Sequence, residues 1–270
     1  DRQRPRPRRV HAGSPERGGP TAAVEWRPVL DAIRQLSRVV GPQKVVKMHV
    51  TLIPFIKAAR ELKSKPTQQS IAKLREIGLQ PQVVICRTEQ PLDAEVRQKL
   101  SMFCNVSAQA VIEARDVEHT IYEVPLMLHA EGLDRLVCQL LQIDAPVPDL
   151  TNWRKFVERV VNPKKRVKIA VVGKYIDLQD AYKSIYESLT HAPASQDCGI
   201  DLKLVDAETL HDGVDGQLKD VAGVLIPGGF GERGVEGKIR AARFARENKV
   251  PYLRLCLGMQ EERIEFARNV

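Results

Sequence analysis

A cysteine stands at the end of a short apolar run near the end of the chain. Residues 251–260 read PYLRLCLGMQ, so Cys256 follows the run and Gly258 comes two residues later. A run of this length favours a buried strand, and a thiol directly after it would lie at the carboxyl end of a sheet. On a sharp turn into a helix, the N–H of Leu257 would face a developing oxyanion. The pattern indicates either a nucleophile or a cysteine that fills the core, since buried cysteine is common.

A glycine-rich segment precedes this cysteine and could complete its site. Residues 227–234 read PGGFGERG and follow another buried-looking strand. Glycines let backbone N–H groups approach a ligand closely, which would supply a second oxyanion donor. A helix predicted to begin near Met259 would favour the thiolate of Cys256 through its N-terminal dipole. The two segments together predict attack on an amide carbonyl with a thioester intermediate.

The remaining pattern alternates helical and strand periods. Apolar residues at helical spacing predict a helix over residues 28–40, with Pro28 near its start, and strands and helices then alternate to the end of the chain. This alternation predicts two α/β domains with parallel sheets. A proline-containing, basic segment separates them and is interpreted as a linker around one helix. The predicted boundaries are residues 1–20 for a basic disordered arm, 21–142 for the first domain, 143–166 for the linker and 167–270 for the second domain.

Composition excludes several classes of protein. The 270 residues are 43% hydrophobic and 28% charged, which is typical of a globular protein. The sequence holds no apolar run long enough for a membrane span and no secretory leader, so no membrane partner is expected. The five cysteines are scattered without a C-x-x-C pair, which indicates a reducing, cytoplasmic setting without zinc or disulfides. The histidines show no ligand spacing, and His49 is interpreted as a hydrogen-bonded core residue.

The net charge of +8 is concentrated at one end. Residues 1–20 hold six arginines against two acidic residues, an excess of four that is half of the total. Together with four prolines, this composition predicts a disordered basic arm. Attachment to nucleic acid is a possible function of such an arm, and it is ranked last among the functions considered.

Motifs in both halves resemble the CTP synthase family. CLGMQ, PGGFGERG and VGKYIDLQDAYKS are similar to the class I glutamine amidotransferase domain of that family. HVTLIPFIKAARELKSKPTQQS, SMFCNV and IYEVPLMLH are similar to its synthetase domain. The resemblance runs from residue 28 to residue 260 and resumes at IEFARNV. It implies a P-loop-type synthetase domain followed by a flavodoxin-like amidotransferase domain.

The resemblance also implies an activity. The family makes CTP from UTP: ATP phosphorylates the uracil 4-oxygen, and ammonia released from glutamine displaces the phosphate. It implies Mg²⁺ with ATP, no organic cofactor, CTP as an inhibitor, GTP as an activator and a homotetramer in the cytoplasm.

The family's site residues carry over at matching positions of this sequence. In the second domain, Cys256 matches the nucleophile, and the residues that match the glutamine pocket are Gly229, Phe230, Leu257, Gly258, Met259 and Gln260. In the first domain, the residues that match UTP and CTP contacts are Lys63, Ser64, Lys65, Pro66, Thr67, Gln68, Lys99 and Glu25. Those that match ATP contacts are Arg115, Asp116 and Val117, and Glu16 matches a Mg²⁺ ligand. Two lysines beside a helix start form an anion site on physical grounds, although a solvated lysine pair has the same spacing.

Several positions depart from the family pattern. Ala23 stands where the family has an aspartate next to the CTP contact at Glu25, and Arg254 stands where it has glycine. A long cation on a buried central strand is costly unless it is paired. Residues 261–263 read Glu-Glu-Arg where the family is mostly apolar, a cost that a helix N-terminus would soften.

The family's phosphate-binding loop and the histidine and glutamate of its triad have no match among these residues. We therefore expect both domains to be truncated and the chain to be inactive on its own. Three functions stay open: a piece of a glutamine-dependent CTP synthase, a non-catalytic module for nucleotide binding and assembly, and the basic-arm nucleic-acid binder.

Overall fold

The computed structural model describes residues 20–210 and 214–270, without the side chains of residues 20–26, 179 and 215. The chain divides into two compact units between Asp149 and Leu150, and each is described by itself. The predicted basic arm, the proposed metal ligand Glu16 and the side chain of Glu25 lie outside the described part. The domain and linker boundaries drawn from the sequence stay predictions.

The first unit is built on a parallel sheet in the order β1-β4-β5, with an antiparallel hairpin of β2 and β3 beside it. Its helices and strands are α1 (Pro20–Val40), β1 (Met48–Leu52), β2 (Phe55–Ile56), β3 (Glu61–Leu62), α2 (Lys65–Glu76), β4 (Val83–Thr88), α3 (Ala94–Cys104), β5 (Val111–Arg115), α4 (Val124–Ala130) and α5 (Leu133–Leu140).

Local signals in the first unit explain where its helices begin and end. The carboxylate of Asp93 accepts from the N–H of Val96 at 2.7 Å and so caps α3. Gly78, at φ +84°, follows α2, and Asn105, at φ +55°, ends α3, as left-handed residues do at helix ends. The predicted start of α1 is wrong: the helix begins at Pro20, so Pro28 lies inside it. A proline removes one helical hydrogen bond, and α1 continues through that loss.

The second unit is built on a parallel sheet in the order β7-β6-β8-β9. Its elements are α6 (Thr151–Val161), β6 (Lys165–Gly173), α7 (Lys183–His191), β7 (Cys198–Asp206), α8 (Asp215–Leu218), β8 (Gly223–Ile226), α9 (Val235–Glu247), β9 (Tyr252–Arg254) and α10 (Leu257–Asn269). In chain order this is 2-1-3-4, the beginning of the flavodoxin-like order. The predicted class, two α/β units with parallel sheets, is confirmed.

The sheet order of the second unit marks where a ligand can bind. The chain passes from one side of β6 to the other between β7 and β8, so the crevice at the carboxyl ends of β6 and β8 is a topological switch point. All of β8 is buried, and it forms the core with apolar residues from β6 and α9. Within the described part of the chain, no helix is long and apolar enough to cross a membrane.

Candidate functional site

Cys256 occupies a strained turn between β9 and α10. Its backbone has φ +54° and ψ −115°, a combination that an L-residue with a side chain rarely adopts. The N–H of Leu255 donates to the carbonyl of Ile226 at 3.0 Å, and the N–H of Met259 donates to the carbonyl of Cys256 at 3.1 Å. The side chain of Cys256 is exposed, so the alternative that it fills the core is excluded. The predicted strand-to-helix turn is present.

Two glycines permit the close contacts around this turn. A Cβ on Gly228 would lie 3.0 Å from the Cβ and 3.6 Å from the Sγ of Cys256. A Cβ on Gly258 would lie 2.8 Å from the carbonyl oxygen of Ile226, so α10 can approach the end of β8 only with glycine there. The glycine-rich loop therefore lies directly against the thiol, as the parallel pairing of β8 and β9 requires.

The loop is held from the end of β6. The ammonium of Lys174 donates to the carbonyl of Phe230 and lies 4.7 Å above the ring of Tyr175. Gly229 adopts φ +142° and packs against the Lys174 side chain, while the Phe230 ring is 74% exposed. Sequence reasoning did not assign Lys174 to the site, although it lies in the VGKY segment that carried the resemblance. The signal available in the sequence was its position at the end of a predicted buried strand, where ligands of parallel sheets bind.

The first turn of α10 differs from the prediction in where it starts. The helix begins at Leu257 rather than near Met259, so Cys256 is itself the residue before the first helical turn. Gly258 is buried, Leu257 is half-buried, and Met259 and Gln260 are exposed. A thiolate at Cys256 would thus lie at the positive end of the helix dipole.

Arg254 was expected to be costly unless it is paired, and the structure pairs it. Arg254 ends β9, which among the described strands pairs with β8 alone, and its guanidinium is exposed and donates to the carboxylate of Glu262. Its side chain is 41% exposed, so the expected burial is wrong, and its pair with Glu262 meets the condition under which no cost was expected. The charged side chains that are buried on α10 are Glu261 and Glu265.

In the first unit, the lysines predicted to meet nucleotide phosphates flank the start of α2. Lys63 and Lys65 are exposed on either side of Ser64, which is buried and accepts from the amide of Gln68 at 3.1 Å. Pro66 is exposed in the first turn. The first helical hydrogen bond runs from Gln68 N to Ser64 O, so the N–H groups before it lie outside the helical ladder.

Side-chain bonds fix α2 on β1. The Thr67 hydroxyl is 3.0 Å from that of Thr51, and it donates to the carbonyl of Leu52 at 3.3 Å. One turn further along α2, Ser70 lies 2.9 Å from the ring of His49. Burial lowers the pKa of His49. The interpretation of His49 is correct for its hydrogen bond and wrong for its place in the core, because the residue is half-buried.

A carboxylate lies among the predicted phosphate-binding lysines. Lys63 donates to Glu61, and this bond holds the Glu61 pKa below its usual range, with a smaller contribution from Lys99 on α3. Lys99 is therefore close enough to influence the surface that carries Lys63. An incoming phosphate would compete with Glu61 for Lys63.

The predicted ATP segment follows β5. Arg115 is the last residue of β5, and the carboxylate of Asp116 accepts from the Arg87 guanidinium at 2.9 Å. Arg115 and Asp116 are exposed, and Val117 is half-buried. Because β1 and β5 are the two edges of a three-stranded parallel sheet, the loops after them lie along one carboxyl edge, about 10 Å apart at two strand spacings. The described residues contain no group of three or more histidine, cysteine or acidic side chains that could hold a metal ion.

Comparison with known proteins matches both units. The CTP synthase N-terminus family model matches residues 14–143, and the class I glutamine amidotransferase family model matches residues 177–270. A CTP synthase of Methanocaldococcus jannaschii is 51% identical over 262 residues, and one of Geobacillus kaustophilus is 50% identical over 256 residues. Each alignment covers 94% of this chain and 48% of the relative, so the chain spans about half the length of the curated relatives it matches.

A solved structure is also similar. The glutaminase domain of a Trypanosoma brucei CTPS with bound acivicin is 41% identical, with a TM-score of 0.37, and the match covers 38% of this chain and 41% of that one. The two family models and the identity to curated relatives along nearly the whole chain place this protein in the CTP synthase family.

Proposed function

We propose that this chain carries the glutamine-hydrolysing nucleophile and part of the nucleotide site of an enzyme that aminates UTP to CTP. The observation that supports this best is the strained turn of Cys256, packed against a glycine-rich loop at the carboxyl ends of β8 and β9. A thiol held in this way has a free approach from solvent and backbone donors on both sides.

The proposed chemistry begins at the thiolate. Sγ of Cys256 attacks the side-chain carbonyl carbon of glutamine, and the N–H groups of Leu257 and Gly229 stabilise the oxyanion. The carbon–nitrogen bond then breaks as the leaving nitrogen takes a proton from solvent and departs as ammonia. Water hydrolyses the thioester, which releases glutamate and restores the Cys256 thiol. The helix dipole of α10 favours the thiolate form of Cys256. Phe230, Gly258, Met259 and Gln260 complete the glutamine pocket in this proposal.

The proposed nucleotide site lies in the first unit. Lys63 and Lys65 and the free N–H groups at the start of α2 bind phosphates of UTP, with Lys99 nearby. The segment 115–117 contacts ATP, which would phosphorylate the uracil 4-oxygen before ammonia displaces the phosphate. Mg²⁺ would accompany ATP. Glu16 and Glu25 remain proposed as ligands of Mg²⁺ and of the pyrimidine nucleotide. Inhibition by CTP, activation by GTP, a homotetramer and a cytoplasmic location are further proposals from the family.

The nucleophile can be tested on this chain directly. Incubation with 6-diazo-5-oxo-L-norleucine, a glutamine analogue that alkylates nucleophiles, should modify Cys256 before the other cysteines, as read by peptide mass spectrometry. Glutamine should slow the modification, and Cys256→Ser should remove it. The other cysteines serve as internal controls: Cys86, Cys104 and Cys198 are buried and Cys138 is half-buried.

Two outcomes would contradict the proposal. Preferential modification of another cysteine would show that Cys256 is not the reactive thiol. UTP binding without any modification of Cys256 would instead favour the alternative, a non-catalytic module for nucleotide binding and assembly.

A further inference from the structure

Two charged side chains are buried behind the candidate glutamine site. The side chain of Lys238 on α9 is 0% exposed, and that of Glu261 on α10 is 1% exposed. Lys238 Nζ lies 3.3 Å from Glu261 Oε1. Neither finds a hydrogen-bond partner within the described residues. Burial raises the pKa of Glu261, and Lys238 opposes that rise, followed by Lys174. The two charges therefore depend chiefly on each other.

The other ion pairs between the same helices differ in exposure. Arg246 donates to Glu265 at 2.8 and 3.1 Å; the Arg246 side chain is 36% exposed and the Glu265 side chain is 2% exposed. Arg268 and Glu236 are 3.0 Å apart, with both side chains more than half exposed. Each of these pairs has at least one exposed member, so water can solvate a charge left over at Arg246, Arg268 or Glu236. A charge left over at Lys238 or Glu261 would remain in the core, which is strongly unfavourable.

The position of the pair relates it to both halves of the site. Lys238 is the fourth residue of α9, which begins directly after the loop of residues 227–234. Glu261 is the fifth residue of α10, which begins directly after Cys256. The pair thus joins the helix behind the proposed oxyanion loop to the helix behind the proposed nucleophile, about one helical turn from each.

We propose that Lys238 and Glu261 are a positioning pair that fixes Cys256 relative to the loop containing Gly228 and Gly229. What the site does rests on the proposed function. The position of Cys256 relative to this loop can be measured without any glutamine chemistry. Loss of one charge leaves the other uncompensated, and the helix that carries it must shift to reach water. Loss of both charges leaves nothing to solvate, because apolar side chains of similar volume replace a buried ion pair at little cost.

The experiment compares Lys238→Met, Glu261→Leu and the double variant Lys238→Met/Glu261→Leu with the parent chain. Arg243→Met is the matched control, because it removes a cation from an exposed pair with Glu247 on the same helix. The first measurement is hydrogen exchange of the amides of residues 255–260. The second is the rate of Cys256 modification by the glutamine analogue divided by its rate with iodoacetamide, which needs no glutamine pocket.

We expect each single variant to speed exchange in residues 255–260 and to lower the rate ratio at least tenfold, since a displacement of about 1 Å at a reacting group can cost about 100-fold. The double variant and Arg243→Met should match the parent in both measurements. If the pair only stabilised the fold, its loss would lower the rates of Cys256 modification by both reagents equally, or expose the buried cysteines. The ratio of the two rates would then stay unchanged.

Single variants that leave exchange and ratio unchanged, or a double variant whose losses equal the sum of the singles, would overturn the proposal. If the single variants do not fold, the charge-reversed variant Lys238→Glu/Glu261→Lys decides: parent-like exchange in residues 255–260 supports the pair, and faster exchange refutes it. Failure of the parent to react with the glutamine analogue would contradict the proposed function, while the exchange measurement would still test the pair.

Discussion

The two candidate sites of this chain are built from different materials. Around Cys256 the site consists of backbone: a residue at φ +54°, and glycines that leave no space for a Cβ. At the start of α2 it consists of exposed charged side chains, Lys63 and Lys65, beside a carboxylate. A site made of closely packed backbone loses its geometry when an atom is added. A site of exposed charges loses part of its affinity with each charge that is removed or screened. The predictions below test this difference.

The largest effect is expected from Gly258→Ala. The added Cβ would lie 2.8 Å from the carbonyl oxygen of Ile226, closer than Cβ contacts are normally found. Overpacking of this kind costs about 1–3 kcal/mol in unfolding free energy, and a displaced turn should reduce Cys256 modification by about 100-fold. Urea unfolding and the alkylation rate measure the two losses. The control is Gly216→Ala, where no atom lies within 4 Å of the added Cβ; equal losses in both variants would contradict the backbone argument.

A smaller, graded effect is expected from Lys63→Ala/Lys65→Ala. Removing two phosphate-binding charges should weaken UTP binding roughly tenfold, which corresponds to about 1.4 kcal/mol. Raising the salt concentration should weaken UTP binding to the parent more than to the variant. Salt screens the contacts between the lysines and the phosphates, and the variant no longer has those contacts. Titration calorimetry at two salt concentrations measures both. Lys73→Ala removes an exposed lysine near the other end of α2 and should change nothing. Tight UTP binding that ignores both the substitution and the salt would place the nucleotide elsewhere.

The third prediction concerns pH. Burial lowers the pKa of His49 from 6.5, so the folded chain binds fewer protons at this residue than the unfolded chain. The contribution of His49 to stability is therefore complete above pH 6.5. As the pH falls below that value, the free energy of unfolding decreases by no more than about 1.4 kcal/mol per pH unit for this one group. His49→Gln keeps a polar partner for Ser70 and should flatten the fall in unfolding free energy of the first unit between pH 7 and 5. An unchanged pH dependence in this variant would mean that His49 is not the titrating group.

The smallest effect is expected from Arg254→Gln. Arg254 lies beside the nucleophile in sequence, but its side chain is exposed and its ion pair with Glu262 lies at the surface. Exposed pairs of this kind contribute about 0–1 kcal/mol, so unfolding free energy and the Cys256 alkylation rate should stay close to those of the parent. A large loss of either would show that the cation supports the turn.

The sequence predicted those features that local pattern determines. The alternation of helical and strand spacing among apolar residues predicted the parallel α/β units. A predicted strand followed by Cys-x-Gly predicted the turn of Cys256. The sequence could not predict strand order, because that order depends on contacts far apart in the chain. For the same reason it did not show that the Arg254 side chain is exposed and paired with Glu262. The bond from Lys174 to Phe230 joins residues 56 positions apart. The partner of Glu261 lies on another helix, and Lys238, in a helix that also carries Glu236, Arg240 and Arg243, shows no local sign of being the buried one.

The conformation of Cys256 has a consequence for how this family can vary. At φ +54° and ψ −115°, glycine would be relaxed where cysteine is strained, so Cys256→Gly should fold better by roughly 1 kcal/mol. The same exchange removes the thiol. Selection for stability and selection for reactivity therefore pull in opposite directions at this one residue. A lineage freed from the need to hydrolyse glutamine would be expected to lose its cysteine here early, well before the surrounding glycines begin to change.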